Sequence, residues 1–233
     1  MIDVDTLTPQ ELAGMIDHTF LKAYGGPEPI EKLCAEAREY GFAMVAVNAA
    51  EAERCAELLK GSKTRVGVAI SFPLGQMTSA AKAFEIRDAI AKGAGEVDMV
   101  QNLRALQSGN DALVLAELED LAKTCREHGV ISKVILENCY LTDEQKVRSC
   151  ELAVKAGVDF VKTSTGFGTG GATVADIALM RRTVGPDMGV KAAGGIRTLD
   201  AALDMVRAGA TRIGTSAGVA IVEELKARRM RVS

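Results

Sequence analysis

KGAGEVDMV (92–100), KAGVDFVKT (155–163) and RAGATRIGT (207–215) share one layout: a basic residue closes a helix, a glycine follows, and a short apolar run begins. Aligned on that glycine they superpose without gaps, and YGFAMVAVN (40–48) joins them from its own glycine onward. A glycine there lets a helix end in left-handed backbone and turn into a strand. The register makes Ala46, Asp98, Lys162 and Gly214 equivalent, each late in its strand. Ordinary convergence of helix-to-strand turns yields similar patterns, yet either way two opposite charges come to one depth of a sheet.

On both sides of these segments, short β-branched runs bounded by glycine alternate with amphipathic stretches. Strands are predicted at Met15–Thr19, Phe42–Asn48, Arg65–Phe72, Glu96–Asn102, Ile131–Cys139, Phe160–Gly166, Gly189–Gly195 and Arg212–Ser216. Helical patterns such as PEPIEKLCAEAREY, TSAAKAFEIRDAIAK and TLDAALDMVRA lie between them, and AGVAIVEELKARR closes the chain. Strict alternation with near-continuous apolar strands implies a parallel sheet covered by helices. An open doubly wound sheet would place its glycine-rich turn after the first strand, whereas here HTFLKAYGGPE follows it and the strongest glycine clusters come after strands six and seven. The fold class expected is therefore α/β, a single (β/α)8 TIM barrel spanning residues 1–233, with its site at the C-terminal ends of the strands.

Composition narrows the function. Apolar residues at 48% and charged residues at 25% suit a globular domain. The balance of 28 basic and 31 acidic residues has no basic block, and aromatics are only 4%, so no nucleic-acid partner is expected. No stretch of about 18 residues is free of charge, and MIDVDTLTPQEL lacks an apolar leader core, so neither a membrane partner nor a signal peptide is expected. Five cysteines without a CxxC suggest neither a disulfide framework nor a zinc site, and point to a reduced, cytoplasmic compartment.

Charges inside predicted barrel strands carry the chemical signal. They are Asp17, Asp98, Lys133, Glu137, Lys162 and Lys191. Period two places Lys133 with Glu137 on one face, and Lys162 with Ser164. A single such charge is ordinarily one that reaches water at an edge. Charges in five strands of one sheet point instead to a convergent cluster at the barrel mouth, because a buried unpaired charge is costly. A lysine amine attacks a carbonyl only when neutral, and burial together with a second ammonium favours the neutral form. Lys162 or Lys191 can fill that role, with Asp98 relaying protons between carbinolamine, imine and enamine. Ion-pair networks also gather such residues. His128 ends a helix in CREHG and His18 follows Asp17, which suits capping and hydrogen bonding better than metal ligation, and no GxSxG elbow occurs. TSTGFGTGGAT (163–173), AAGGIRT (192–198) and IGTSAG (213–218) each join a strand to a helix, and together favour a phosphate.

Eight motifs, one per strand, resemble the deoxyribose-phosphate aldolase family: IDHTFLK (16–22), EYGFAMVAVN (39–48), SFPLG (71–75), EVDMVQN (96–102), KVILENCYLT (133–142), DFVKTSTGFGTGGAT (159–173), GVKAAGGIRT (189–198) and RIGTSAGVAI (212–221). The resemblance covers essentially the whole chain. It implies a class I aldolase, needing no metal or cofactor, that cleaves 2-deoxy-D-ribose 5-phosphate to D-glyceraldehyde 3-phosphate and acetaldehyde and also runs in reverse. It implies that Lys162 forms the Schiff base, Lys191 lowers its pKa and Asp98 relays protons. Lys133 and Asp17 belong to the surrounding network, Asp17 near the substrate hydroxyls, and Gly166, Gly194, Gly195, Gly214 and Ser216 fall where the family binds phosphate. The partners implied are the sugar phosphate and aldehydes, with a homodimer as the frequent assembly. Ala46, Asn138, Ala193 and Ala217 depart from the family pattern, and the last two remove hydroxyls beside the phosphate loops. The rival readings are another Schiff-base sugar-phosphate aldolase, acting on a keto donor, and a non-catalytic sugar-phosphate-binding barrel.

Overall fold

The computed structural model describes residues 2–231. Eight parallel strands close into a barrel in chain order: β1 (Ile16–Thr19), β2 (Met44–Asn48), β3 (Arg65–Ile70), β4 (Glu96–Val100), β5 (Ile131–Ile135), β6 (Phe160–Lys162), β7 (Gly189–Ala193) and β8 (Arg212–Thr215). The helices are α1 (Pro9–Ala13), α2 (Glu28–Tyr40), α3 (Ala52–Leu58), α4 (Ser79–Ala91), α5 (Leu103–Gln107), α6 (Asp111–Glu127), α7 (Asp143–Ala156), α8 (Val174–Val184), α9 (Leu199–Arg207) and α10 (Gly218–Met230). Side-chain caps start many of them: Thr8 with Glu11 and Thr142 with Gln145 form capping boxes, and Thr78, Thr173 and Thr198 each accept a backbone N–H of the first turn. The glycines on which the repeats align, Gly41, Gly93, Gly157 and Gly209, all have positive φ. None of the helices among the described residues is long and apolar enough to cross a membrane.

All eight predicted strands form, but most end earlier than the sequence suggested. The sequence reads on as strand because the first residues past the ladder, such as Ser71, Leu136 and Thr163, are still buried. Ser71 and Glu137 leave their strands with φ of 52° and 56°, and Gly166, Gly194 and Gly195 turn with φ between 82° and 89°. Asn102 caps the short α5 and does not extend β4. Period-two arguments fail beyond these points. Glu137 therefore does not share a barrel face with Lys133: its carboxylate accepts hydrogen bonds from the Thr165 amide and hydroxyl and anchors the β6–α8 loop.

The apolar core is an annulus between sheet and helices, where outward strand residues such as Val45, Val68, Val97, Val134, Val161 and Ile213 meet Leu33, Ile86, Leu118, Ile177 and Ile221. Inside the barrel the composition is different. The ladder register, with its offset of two residues per two strands, stacks inward side chains in layers drawn from alternate strands. Beneath Thr19, Ala69, Ile135 and Ala193 at the mouth lie Ala46, Asp98, Lys162 and Gly214, the four positions that the repeat alignment equates. Below them lie Asp17, Gly67, Lys133 and Lys191, and below those Met44, Glu96, Phe160 and Arg212. Two glycines make the lower layers fit: a Cβ on Gly67 would lie 2.0 Å from the Met44 sulfur, and one on Gly189 would lie 2.2 Å from the Phe160 ring.

Candidate active site

Seven of the twelve positions in the three layers beneath the mouth carry charge, and all seven are buried. Asp98 stands at their centre. Its Oδ1 accepts from Lys133 Nζ at 2.8 Å, while its Oδ2 accepts from Lys162 Nζ at 2.9 Å and Lys191 Nζ at 2.7 Å. Lys191 also pairs with Asp17, and Lys133 with Glu96. Arg212 Nη1 reaches Asp17 Oδ1 at 2.6 Å and Glu96 Oε2 at 3.2 Å. The rings and stems around them are apolar: Lys133 and Arg212 lie 5.9 and 5.3 Å from the Phe160 ring centroid.

This surrounding separates the protonation states. Burial brings the Lys162 amine down to about 8, and the Lys191 and Lys133 ammonium groups push the same way, against the pull of Asp98. Burial alone would raise the Asp98 carboxyl, but Lys133, Lys162 and Lys191 hold it well below the usual carboxylate range. Asp17 is lowered likewise, chiefly by Lys191 and Arg212 acting against burial. Lys133 is driven up, because Asp98 and Glu96 outweigh its burial. The arrangement thus offers one amine near its neutral point beside one ionised carboxylate.

At the C-terminal mouth of the barrel opens a cavity of about 350 Å³. Lys162 and Lys191 form part of its floor, and Gly166, Gly194, Gly195, Gly214 and Ser216 line its wall. All five expected phosphate-side residues thus meet the two lysines in one cavity. Asp98, Asp17 and Lys133 are not in its lining; they stand level with the lysines inside the barrel and are screened from the cavity. Asp17, expected near the substrate hydroxyls, is wholly buried and engaged by Lys191 and Arg212, so its contact with the cavity runs through Lys191. Ala193 lines the cavity, whereas Ala217 does not and packs against the apolar core.

The loops are held close. A Cβ on Gly171 would lie 2.2 Å from the Gly194 carbonyl oxygen, and the Ala172 amide donates to the carbonyls of Ala193 and Gly194, both at 3.1 Å. Glycine at these positions lets the β6–α8 and β7–α9 loops press together backbone to backbone. Sequence reasoning passed over two cations in the wall, Lys22 and Arg197, although HTFLK and GGIRT contain them. It also passed over Glu96 and Arg212, which begin their strands where charge ordinarily meets water. The available signal was spacing: each sits two residues before an inward position, Asp98 and Gly214.

Comparison with known proteins agrees with this geometry. Residues 12–224 match the model of the DeoC/LacD family aldolase. The chain is 65% identical to the deoxyribose-phosphate aldolase of Bacteroides thetaiotaomicron over 96% of its own length and 94% of that protein's. It is 57% identical to that of Lysinibacillus sphaericus, over 93% and 96%. Among solved structures, the deoxyribose phosphate aldolase of Aeropyrum pernix, described as tetrameric, superposes with a TM-score of 0.89 at 33% identity, over 97% of this chain and 95% of that one. With a closed barrel, a lysine pair on one aspartate and matches along nearly its full length, the chain belongs to the DeoC/LacD family of aldolases.

Proposed function

We propose that the chain is a class I aldolase that cleaves 2-deoxy-D-ribose 5-phosphate to D-glyceraldehyde 3-phosphate and acetaldehyde, and joins them in reverse. The observation that carries this reading is Lys162: its amine lies in the cavity floor, near its neutral point, with Asp98 Oδ2 at 2.9 Å. Neutral Lys162 attacks the aldehyde carbon C1, and the carbinolamine loses water to give a protonated imine. The ionised Asp98 stabilises that cation. Loss of the C3 hydroxyl proton then breaks the C2–C3 bond, whose electron pair moves into the iminium to form an enamine and release D-glyceraldehyde 3-phosphate. Protonation at C2 and hydrolysis return acetaldehyde and free Lys162. Asp98 and Lys191 carry protons between these steps, and Lys191 and Lys133 keep Asp98 from holding one prematurely. The glycine-walled side, with Lys22 and Arg197, takes the phosphate dianion.

Borohydride reduction in the presence of acetaldehyde tests the assignment. A two-carbon ethyl group is expected on the peptide carrying Lys162, and a label on Lys191 instead would reverse the two roles. Turnover with acetaldehyde as donor separates this reading from an aldolase that requires a keto donor. A homodimer and a cytoplasmic location belong to the same reading. The former is supported by the exposed apolar side chains of Leu74, Met77 and Phe84 on and before α4, and the latter by free cysteines. Sedimentation of the purified protein checks the assembly.

A further inference from the structure

The layer of Met44, Glu96, Phe160 and Arg212 touches no part of the cavity, yet it is charged. Arg212 and Glu96 project from β8 and β4 across the barrel to one another. From this pair two ion-pair chains climb to the same carboxylate: Glu96 to Lys133 to Asp98, and Arg212 to Asp17 to Lys191 to Asp98. Both chains end on the group that holds Lys162. Stability does not explain such a layer, because well-packed apolar residues of similar volume serve a core at least as well as buried ion pairs.

Charge counting suggests what it does. The interior holds three carboxylates, Asp17, Glu96 and Asp98, against four basic groups, Lys133, Lys162, Lys191 and Arg212. With all seven ionised the set carries one excess positive charge among buried side chains, and it balances when one amine gives up its proton. Arg212 cannot be that group, since a guanidinium stays protonated. Lys133 is held between two carboxylates. Among the described residues Lys162 has the single partner Asp98, and that oxygen is shared with Lys191.

We propose that Arg212 and Glu96 are positioning residues for the aldol reaction, an ion pair remote from the substrate that sets the charge balance deciding whether Lys162 keeps or releases its proton. The inference rests on the reading that Lys162 forms the imine. The charged groups facing Lys162 are Asp98 from β4, Lys133 from β5 and Lys191 from β7. Those facing the lower pair are Asp17 from β1, Lys133 from β5, and Arg65 from β3, whose Nη1 lies 3.6 Å from Glu96. Arg212 is two strands from Lys162, roughly 10 Å at the usual strand spacing. At an effective dielectric of about 20, one charge at that distance moves a titration by about one pH unit.

The test is the pH dependence of imine formation with acetaldehyde, trapped by borohydride and located by peptide mapping. Arg212→Met removes a positive charge and is expected to move the rising limb up by about one pH unit, with roughly tenfold slower labelling below the limb. Glu96→Gln removes a negative charge and is expected to move it down by a similar amount. Arg212→Lys keeps the charge and leaves the limb in place, and the double variant Glu96→Gln/Arg212→Met returns it toward the wild type. A merely structural role predicts no such opposition of sign. Limbs that stay put, or that move the same way in both single variants, overturn the proposal. If Arg212→Met does not fold, Glu96→Gln against Arg212→Lys decides alone: a downward shift in the first with none in the second supports the proposal, and anything else sinks it. Wild-type protein that takes no label at Lys162 refutes the proposed function itself, whereas labelling with immobile limbs refutes only the role of the lower pair.

Discussion

At the scale of single residues, Lys162 is expected to govern the pH response. With its amine brought down to about 8, the rate is expected to rise with pH through that value as the proton leaves, and to level above it. Lys191→Leu removes a like charge one strand away, favours the protonated amine, and is expected to move the rising limb upward by about one to two pH units, lowering kcat/KM at pH 7 about ten- to a hundredfold. A limb that stays in place while substrate affinity falls would make Lys191 a binding residue only. The two alanines at family hydroxyl positions are no longer equivalent. Ala193 lines the cavity beside Gly214, to whose added Cβ it would stand at 3.0 Å, whereas Ala217 faces the core. A hydrogen bond to a charged group contributes roughly 1.5–3 kcal/mol. Ala193→Ser is therefore expected to raise kcat/KM for deoxyribose 5-phosphate about tenfold while leaving unphosphorylated deoxyribose unaffected, and Ala217→Ser to change neither. The ratio of the two substrates' kcat/KM values in each variant is the measurement.

At the scale of elements, the strands were legible and their ends were not. Val, Met and Ala in β2, β4 and β7 mark buried parallel strands whatever follows them, and glycines with positive φ mark where each repeat begins. Where the strand stops depends on the loop's own conformation, and SFPLG or ENCYL reads as apolar strand until Ser71 and Glu137 are seen to leave extended backbone. The same cause hid part of the site. Lys162 and Lys191 stood out because they sit late in apolar strands, but Glu96 and Arg212 open theirs, and only closure of the barrel turns those positions inward. The joint between the β6–α8 and β7–α9 loops was invisible for a different reason, since it is a contact between backbones. Gly171→Ala forces those loops apart, because its Cβ would meet a carbonyl oxygen at 2.2 Å. It is expected to destabilise the fold by about 1–3 kcal/mol and to raise KM for the phosphorylated sugar at least tenfold, while imine formation with acetaldehyde, which has no phosphate, changes little. Equal losses in both assays would show that this joint supports the lysines as well as the phosphate wall.

At the scale of the whole molecule, the barrel divides its labour by face. Outward strand residues make the apolar annulus that stabilises the fold, and inward ones make an ion-pair column that a typical barrel would fill with branched apolar side chains. An imine is its own electron sink, so exhaustive EDTA treatment is expected to leave turnover intact, and activity lost to EDTA and restored by Zn²⁺ would overturn the Schiff-base reading. Closure has a further effect. Because β1 pairs with β8 and α1 packs on α10, the Arg229 guanidinium donates to the carbonyls of Asp5 at 2.5 Å and Leu7 at 3.2 Å. The two extremities of the described chain are thus spatial neighbours, and the order in which the eight units are written along the polypeptide is separable from the shape they build. A circular permutant that joins these extremities by a short linker and opens at Gly129, an exposed turn between α6 and β5 where an added Cβ would meet nothing within 4 Å, is expected to fold and to label at Lys162. One opened at Gly168, within the loop that Glu137 anchors, is expected to fold without binding the sugar phosphate. Melting curves and borohydride labelling of the two permutants would show that this barrel is a ring, with a seam that can be moved anywhere except across its mouth.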